Sequence, residues 1–170
     1  LRENLQAIML CGRLEFYGVL YAGTSSDSAV YLVNDATESG FTDEFLEKTF
    51  HHEFSSLLMY RHTFPIQTWM DESPAGFEYL ADWEDVLEEV AARRSLDGSP
   101  ALFRQGLLAE YGRTNLENDV NTYVEVTFAE PQRMRQLVQQ YPAIRAKYRV
   151  LRSYYIGLDP QFETWFQQIG

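Results

Sequence analysis

The sequence predicts an α+β fold that is predominantly helical, with a small N-terminal β-sheet packed on one long helix. Residues 16–33 hold two short segments rich in β-branched and aromatic residues, and the polar run at 23–28 between them is typical of a turn. Residues 42–62 combine helix start signals with an apolar stripe, and most of the chain after residue 79 has helical spacing. A chain of 170 residues is most simply one domain, here 1–170.

The N-terminal elements follow from local patterns. Residues 1–14 carry apolar residues at helix-like spacing and are predicted to be helical, with Cys11 as a small core residue. Residues 16–21 and 28–33 are predicted strands that form a hairpin, and a polar loop at 34–40 follows.

The helix at 42–62 has the clearest signals of the chain. Thr42 can cap its first turn, Asp43 and Glu44 suit the positive end of the helix dipole, and Pro65 follows its end. Residues 64–76 are predicted to be irregular. Helices are predicted at 79–94, 102–111, 117–128, from 131 to the break at Tyr141-Pro142, at 143–155, and in a short last segment after Asp159-Pro160.

Composition excludes some classes of function. The net charge of −11 argues against nucleic acid as the main partner. No apolar run reaches the roughly 18–20 residues of a membrane-spanning helix, so we expect no transmembrane segment. The single cysteine excludes an internal disulfide and a cysteine-based metal site.

The most informative motif is His52-Glu53-Phe54-Ser55-Ser56. In the zinc-peptidase motif H-E-x-x-H, two histidines one helical turn apart bind the metal, and the glutamate polarises the metal-bound water. His52 and Glu53 fit this pattern, whereas Ser56 occupies the second ligand position. Glu53 falls inside the apolar stripe of its helix, and a carboxylate facing a core needs a partner. Glu53 is therefore the candidate catalytic base.

The order of these features resembles the gluzincin-type zinc metallopeptidases. The closest likeness is to the zinc-binding metallopeptidase or metallohydrolase lipoproteins of Bacteroidetes-type bacteria, whose motif helix reads H-E-F-x-H. A later helix of that family supplies a glutamate as third ligand after a Tyr-x-x-Thr-Asn-like lead-in, which is matched here by Tyr111-Gly112-Arg113-Thr114-Asn115. The resemblance implies a zincin fold, a zinc cofactor, a peptide or protein ligand, and an exported or lipid-anchored protein.

Two ligand positions depart from the family pattern. Ser56 stands for the second histidine, and Thr122 falls where the third-ligand glutamate belongs. A single imidazole does not hold zinc, because catalytic sites use three protein ligands and a water. Glu125, one turn beyond Thr122, is the candidate replacement ligand beside His52. Asp119 and His62 are further alternatives.

Three functions remain open on these residues. The first is an impaired zinc-peptidase homologue that acts as a binding or accessory domain. The second is an active zinc hydrolase with a non-standard ligand set and Glu53 as general base. The third is a serine nucleophile, Ser55 or Ser56, activated by His52. Trp69, in a proline-flanked segment, is the aromatic residue that we expect to face a substrate.

Overall fold

The computed structural model describes residues 3–35, 40–80 and 98–169. The chain divides into two compact units, 1–63 and 64–170. The first unit carries all strands of the described residues, and the second is built from helices. The predicted α+β class with a small N-terminal sheet is therefore confirmed. Most of the helix predicted at 79–94 lies outside the described residues.

In residues 3–35 and 40–63, the first unit contains five strands and one long helix. Its three-stranded sheet has the order β1-β5-β4, in which β1 runs parallel and β4 antiparallel to β5. Strands β2 and β3 form a separate antiparallel hairpin whose turn places Tyr17 and Gly18 at positive φ. The elements are β1 Ala7–Cys11, β2 Glu15–Phe16, β3 Val19–Leu20, β4 Gly23–Ser25, β5 Ala29–Val33 and α1 Asp43–Arg61.

Four N-terminal predictions are wrong. The expected helix at 1–14 is instead strand β1, because its short apolar run fits a strand equally well and pairs in register with β5. The expected strand at 16–21 is split by the Tyr17-Gly18 turn. The expected turn at 23–28 includes β4, which pairs with the correctly predicted β5. Cys11 is only half-buried in β1, not a core residue.

Helix α1 begins and ends where its sequence signals predict. The Thr42 hydroxyl accepts a hydrogen bond from the Phe45 amide at 3.2 Å, and the chain becomes extended at His62. The helix packs against β4 and β5, as expected for a sheet lying on the motif helix. The contact is close at Gly23, where an added Cβ would lie 2.6 Å from Thr49 Cγ2.

The second unit consists of short and long helices joined by tight connections. The helices predicted around 117–128, 131–140 and 143–155 are confirmed within a few residues. Residues 64–76, predicted to be irregular, contain a helix, and the predicted helix at 102–111 is replaced by two shorter pieces. The elements are α2 Ile66–Asp71, α3 Pro100–Arg104, a 3₁₀ turn Glu110–Arg113, α4 Leu116–Ala129, α5 Pro131–Gln140, α6 Pro142–Leu158 and α7 Phe162–Phe166.

The core of the second unit is strongly aromatic. Trp69 is fully buried and makes an edge-to-face contact with Tyr123, with ring centroids 5.0 Å apart. The expectation that Trp69 faces a substrate is therefore wrong, because α2 turns this residue into the core. Within 3–35, 40–80 and 98–169, no helix is long and apolar enough to cross a membrane.

Candidate functional site

Helix α1 carries the motif residues His52, Glu53 and Ser56, and all three are half-buried. Glu53 lies on the side of the helix that faces β4. The Ser25 hydroxyl donates a hydrogen bond to Glu53 Oε2 at 3.1 Å, and Glu53 Cγ lies 3.2 Å from the position of a Cβ added to Gly23. The Glu53 carboxylate, which faces the sheet, thus has the Ser25 hydroxyl as its partner. This hydrogen bond restrains the orientation of the Glu53 side chain.

The end of the same helix holds the alternative ligand His62 in a different role. His62 Nε2 lies 3.1 Å from Asn4 Oδ1, and the preceding Arg61 donates to the carbonyl oxygens of Asn4 and Asp27 at 3.3 and 3.1 Å. These contacts attach the segment before β1 and the β4–β5 turn to the end of α1. His62 therefore helps to hold the N-terminal segment against the end of α1.

Ser55, one of the two serines considered as a nucleophile, is buried to 1% exposure among the core residues of α1. A nucleophile must meet its substrate, and a hydroxyl buried in this way is not presented to one. The geometry of the first unit therefore gives no support to a nucleophilic Ser55.

The lead-in that resembles the zinc-peptidase family forms the start of α4 in the second unit. Asn115 caps this helix, its side-chain oxygen accepting from the Asn118 amide at 2.8 Å. A Cβ added to Gly112 of the 3₁₀ turn would lie 3.4 Å from Asp119 Cα and 3.5 Å from Thr122 Oγ1, which is ordinary van der Waals contact. The lead-in thus lies beside the helix turn that carries both of these residues.

Thr122 stands at the expected third-ligand position and is 3% exposed. Its hydroxyl donates to the backbone carbonyl of Asp119 at 2.8 Å, which satisfies the hydroxyl within its own helix. Glu125, the candidate replacement ligand, lies one turn further along α4 and is half-buried. His52 belongs to the first unit, whereas Thr122 and Glu125 belong to the second.

Asp119, the other alternative ligand, forms a buried charged cluster with three donors. Lys147 Nζ lies 2.7 Å from Asp119 Oδ2, and both side chains are fully buried. The same oxygen accepts from Trp69 Nε1 at 2.9 Å and from the Tyr79 hydroxyl at 2.7 Å. The second oxygen, Oδ1, has no hydrogen-bond partner among the described residues.

The electrostatics of this cluster follow from its burial. Desolvation raises the pKa of Asp119, and this cause outweighs the Lys147 ammonium and the hydrogen bonds, which act to lower it. Burial, the Asp119 charge and their hydrogen bond raise the pKa of the Tyr79 hydroxyl, so that this hydroxyl remains a protonated donor. Three donors thus bind one oxygen of a carboxylate that is fully buried.

Sequence reasoning missed Lys147 as the partner of Asp119, although a signal existed. Lys147 lies within the helical apolar stripe formed by Ile144, Tyr148 and Leu151, all of which are buried. A lysine in such a stripe must either extend its ammonium group to water or pair with an acidic side chain. Because this stripe is buried, the acidic partner is the remaining option. The pattern indicates a buried ion pair, but it does not name the partner.

In the part of the chain that the structure describes, no group of three or more His, Cys, Asp or Glu side chains is arranged to hold a metal ion. Comparison of the chain with protein families, with curated proteins and with solved structures finds no match.

Proposed function

We propose that this chain is a zinc-metallopeptidase-like domain of the gluzincin type whose metal site is incomplete, and that it acts as an accessory domain that binds a peptide or protein. The proposal starts from the resemblance of the motif helix and of the lead-in to α4. Its carrying observation is that both missing ligand positions hold small hydroxyl residues, Ser56 and Thr122, and that the Thr122 hydroxyl is satisfied by its own helix backbone.

Chemistry supports this interpretation. Zinc in proteins is held by thiolate, imidazole and carboxylate groups, and neutral hydroxyl side chains are not among its usual ligands. Replacing a histidine and a glutamate by serine and threonine removes two of the three protein ligands while leaving side chains that can hydrogen-bond locally. Such a domain keeps the packing of the family and loses the metal.

Restoration of the ligands tests the proposal most directly. The variant Ser56→His/Thr122→Glu returns the family's ligand types to both positions. We expect the wild-type chain to retain no zinc after loading and dialysis, and the restored variant to retain about one equivalent. Glu47→His, at an exposed position of the same helix, is the matched control and should retain none. Zinc content is measured by elemental analysis, with circular dichroism to verify folding.

The outcomes separate the two parts of the proposal. Stoichiometric zinc in the wild-type chain would contradict the incomplete site. A folded Ser56→His/Thr122→Glu variant that binds no zinc would contradict the zincin-like assignment itself.

An active zinc hydrolase is the second candidate, and the contact between Ser25 and Glu53 favours it. A general base must be held in one orientation, and the Ser25 hydroxyl does this for the Glu53 carboxylate. In this reading His52 and Glu125 bind the metal. Peptide hydrolysis that requires added zinc and is lost in Glu53→Gln would establish this function, whereas hydrolysis unchanged by chelator or by that variant would exclude it.

A further inference from the structure

The strongest feature that the proposed function leaves unexplained is the buried pair of Asp119 on α4 and Lys147 on α6. The two residues are 28 positions apart, their side chains are fully buried, and Nζ contacts Oδ2 at 2.7 Å. Two further donors, Trp69 Nε1 and the Tyr79 hydroxyl, converge on that same oxygen, while Oδ1 has no partner among the described residues. An ordinary carboxylate shares its donors between both oxygens. At Asp119 all three of these donors bind Oδ2.

The surroundings of the pair exclude water and disfavour charge. Lys147 Nζ lies 5.3 Å from the centre of the Trp69 ring and 5.4 Å from that of Phe77. Two charges in such a site keep a large desolvation cost that their attraction only partly offsets. Transfer of one proton from Nζ to Oδ2 gives a neutral amine in contact with a neutral carboxylic acid.

We propose that Lys147 and Asp119 condense to an intramolecular isopeptide bond. The bond between Nζ and Cγ forms, the bond between Cγ and Oδ2 breaks, and Oδ2 leaves as water. An ammonium and a carboxylate together contain the atoms of one amide and one water, so the reaction needs no oxidant, metal or other reactant.

Lys147 supplies both protons that leave with the water molecule. Lys147 begins with three protons on Nζ and ends with one on the amide nitrogen. The first of the other two passes to Oδ2 before the attack. The second passes to Oδ2 as the tetrahedral intermediate collapses, and the Tyr79 hydroxyl relays it by giving its own proton to Oδ2 and taking the one from Nζ. Oδ1 becomes the amide carbonyl oxygen.

The arrangement supplies what such a condensation requires. Contact between the reacting groups replaces a bimolecular encounter. Donors aimed at Oδ2 assist its departure, since they lie on the oxygen that leaves and not on the one that stays. The aromatic walls keep bulk water from returning to the amide, and the product carries no charge to desolvate. The bond would tie α4 to α6 covalently.

Mass spectrometry of the purified, folded chain tests the proposal. The intact mass is expected to be lower than that of the sequence by one water. A tryptic digest is expected to contain a branched peptide that joins the segments around Asp119 and Lys147, with no cleavage after Lys147. Lys147→Arg keeps the charge but is expected to show the full mass, and Asp119→Ala likewise.

Two further variants sharpen the assignment. Asp119→Asn can still condense but must release ammonia, so its mass deficit should change to that of one ammonia. Tyr79→Phe removes the relay and should slow formation of the branched peptide after refolding from denaturant. A wild-type chain with the full sequence mass and normal tryptic cleavage after Lys147 would overturn the proposal even if no variant folds. A water loss that persists in Lys147→Arg would overturn it too.

Discussion

The close approach of β4 to the motif helix leaves no room for a side chain at position 23, and this contact gives the sharpest stability prediction. A Cβ added to Gly23 would lie 2.6 Å from Thr49 Cγ2, 3.0 Å from the Tyr31 carbonyl oxygen and 3.2 Å from Glu53 Cγ. The backbone of Gly23 is not at positive φ, so alanine is excluded by space and not by conformation. We therefore expect Gly23→Ala to separate β4 from α1.

The magnitude follows from two opposing effects. Overpacking of a well-packed contact costs about 1–3 kcal/mol. Replacing glycine by alanine stabilises by about 0.4–1 kcal/mol through the unfolded state, so the net loss is about 1–2 kcal/mol. Because Ser25 follows Gly23 by two residues in β4, the same displacement weakens its hydrogen bond to Glu53.

Hydrogen exchange is the suitable assay, because it measures the opening of each segment of the first unit separately. A loss of 1–2 kcal/mol corresponds to exchange about 5–30 times faster in peptides that cover β4, β5 and α1. Gly12→Ala is the matched control, since a Cβ there meets nothing within 4 Å. Its exchange should equal that of wild type or be slower.

A second variant tests the cause. Thr49→Ser removes Cγ2 but keeps the hydroxyl, which donates to the Phe45 carbonyl oxygen at 2.9 Å. The double variant Gly23→Ala/Thr49→Ser should recover about 1 kcal/mol relative to the sum of the single effects, as expected for residues in contact. Wild-type exchange in Gly23→Ala, or strict additivity in the double variant, would refute the reasoning.

Three further predictions concern the second unit. Tyr148 is buried and its hydroxyl has no partner among the described residues, so Tyr148→Phe should leave the urea midpoint unchanged or raise it. Tyr123→Phe breaks the hydrogen bond to the Gly106 carbonyl oxygen and should lower the unfolding free energy by about 1–2 kcal/mol. Burial raises the pKa of Tyr148 and of Tyr154 to about 12 in the folded chain. The folded state thus holds protons that the unfolded state releases above pH 10. The unfolding free energy should therefore fall by about 1.4 kcal/mol per pH unit for each of the two tyrosines between pH 10 and 12. Tyr148→Phe should remove the contribution of one tyrosine to this slope, and an unchanged slope would contradict the raised pKa of Tyr148. Asn115→Ala should cost about 1 kcal/mol in urea unfolding through loss of the helix cap, and equal midpoints would show that the cap is dispensable.

The elements that sequence patterns predicted correctly are those with local signals. Helix α1 has its cap, its first-turn acids and its following proline within the segment itself. Helices α5 and α6 begin at Pro131 and Pro142, in the first helical turn where proline is favoured. These signals act over a few residues, so they can be read without knowledge of the rest of the chain.

Predictions failed where a distant segment decides the outcome. The apolar run of β1 fits a helix or a strand, and only its parallel pairing with β5 selects the strand. Trp69 sits in a segment with two nearby prolines that looks irregular, yet its indole reaches Asp119, which is 50 residues away. The hydrogen-bond partner of a side chain cannot be read from its own neighbours.

The sequence by itself determined helix α1 and helices α4 to α6, because their caps, prolines and apolar spacing act within each segment. Only the tertiary structure decided that Ser25 holds Glu53, and that Asp119 meets Lys147, Trp69 and Tyr79. The physical reason is that a buried polar group must find a partner, and packing of distant elements selects which of the available donors lies within reach.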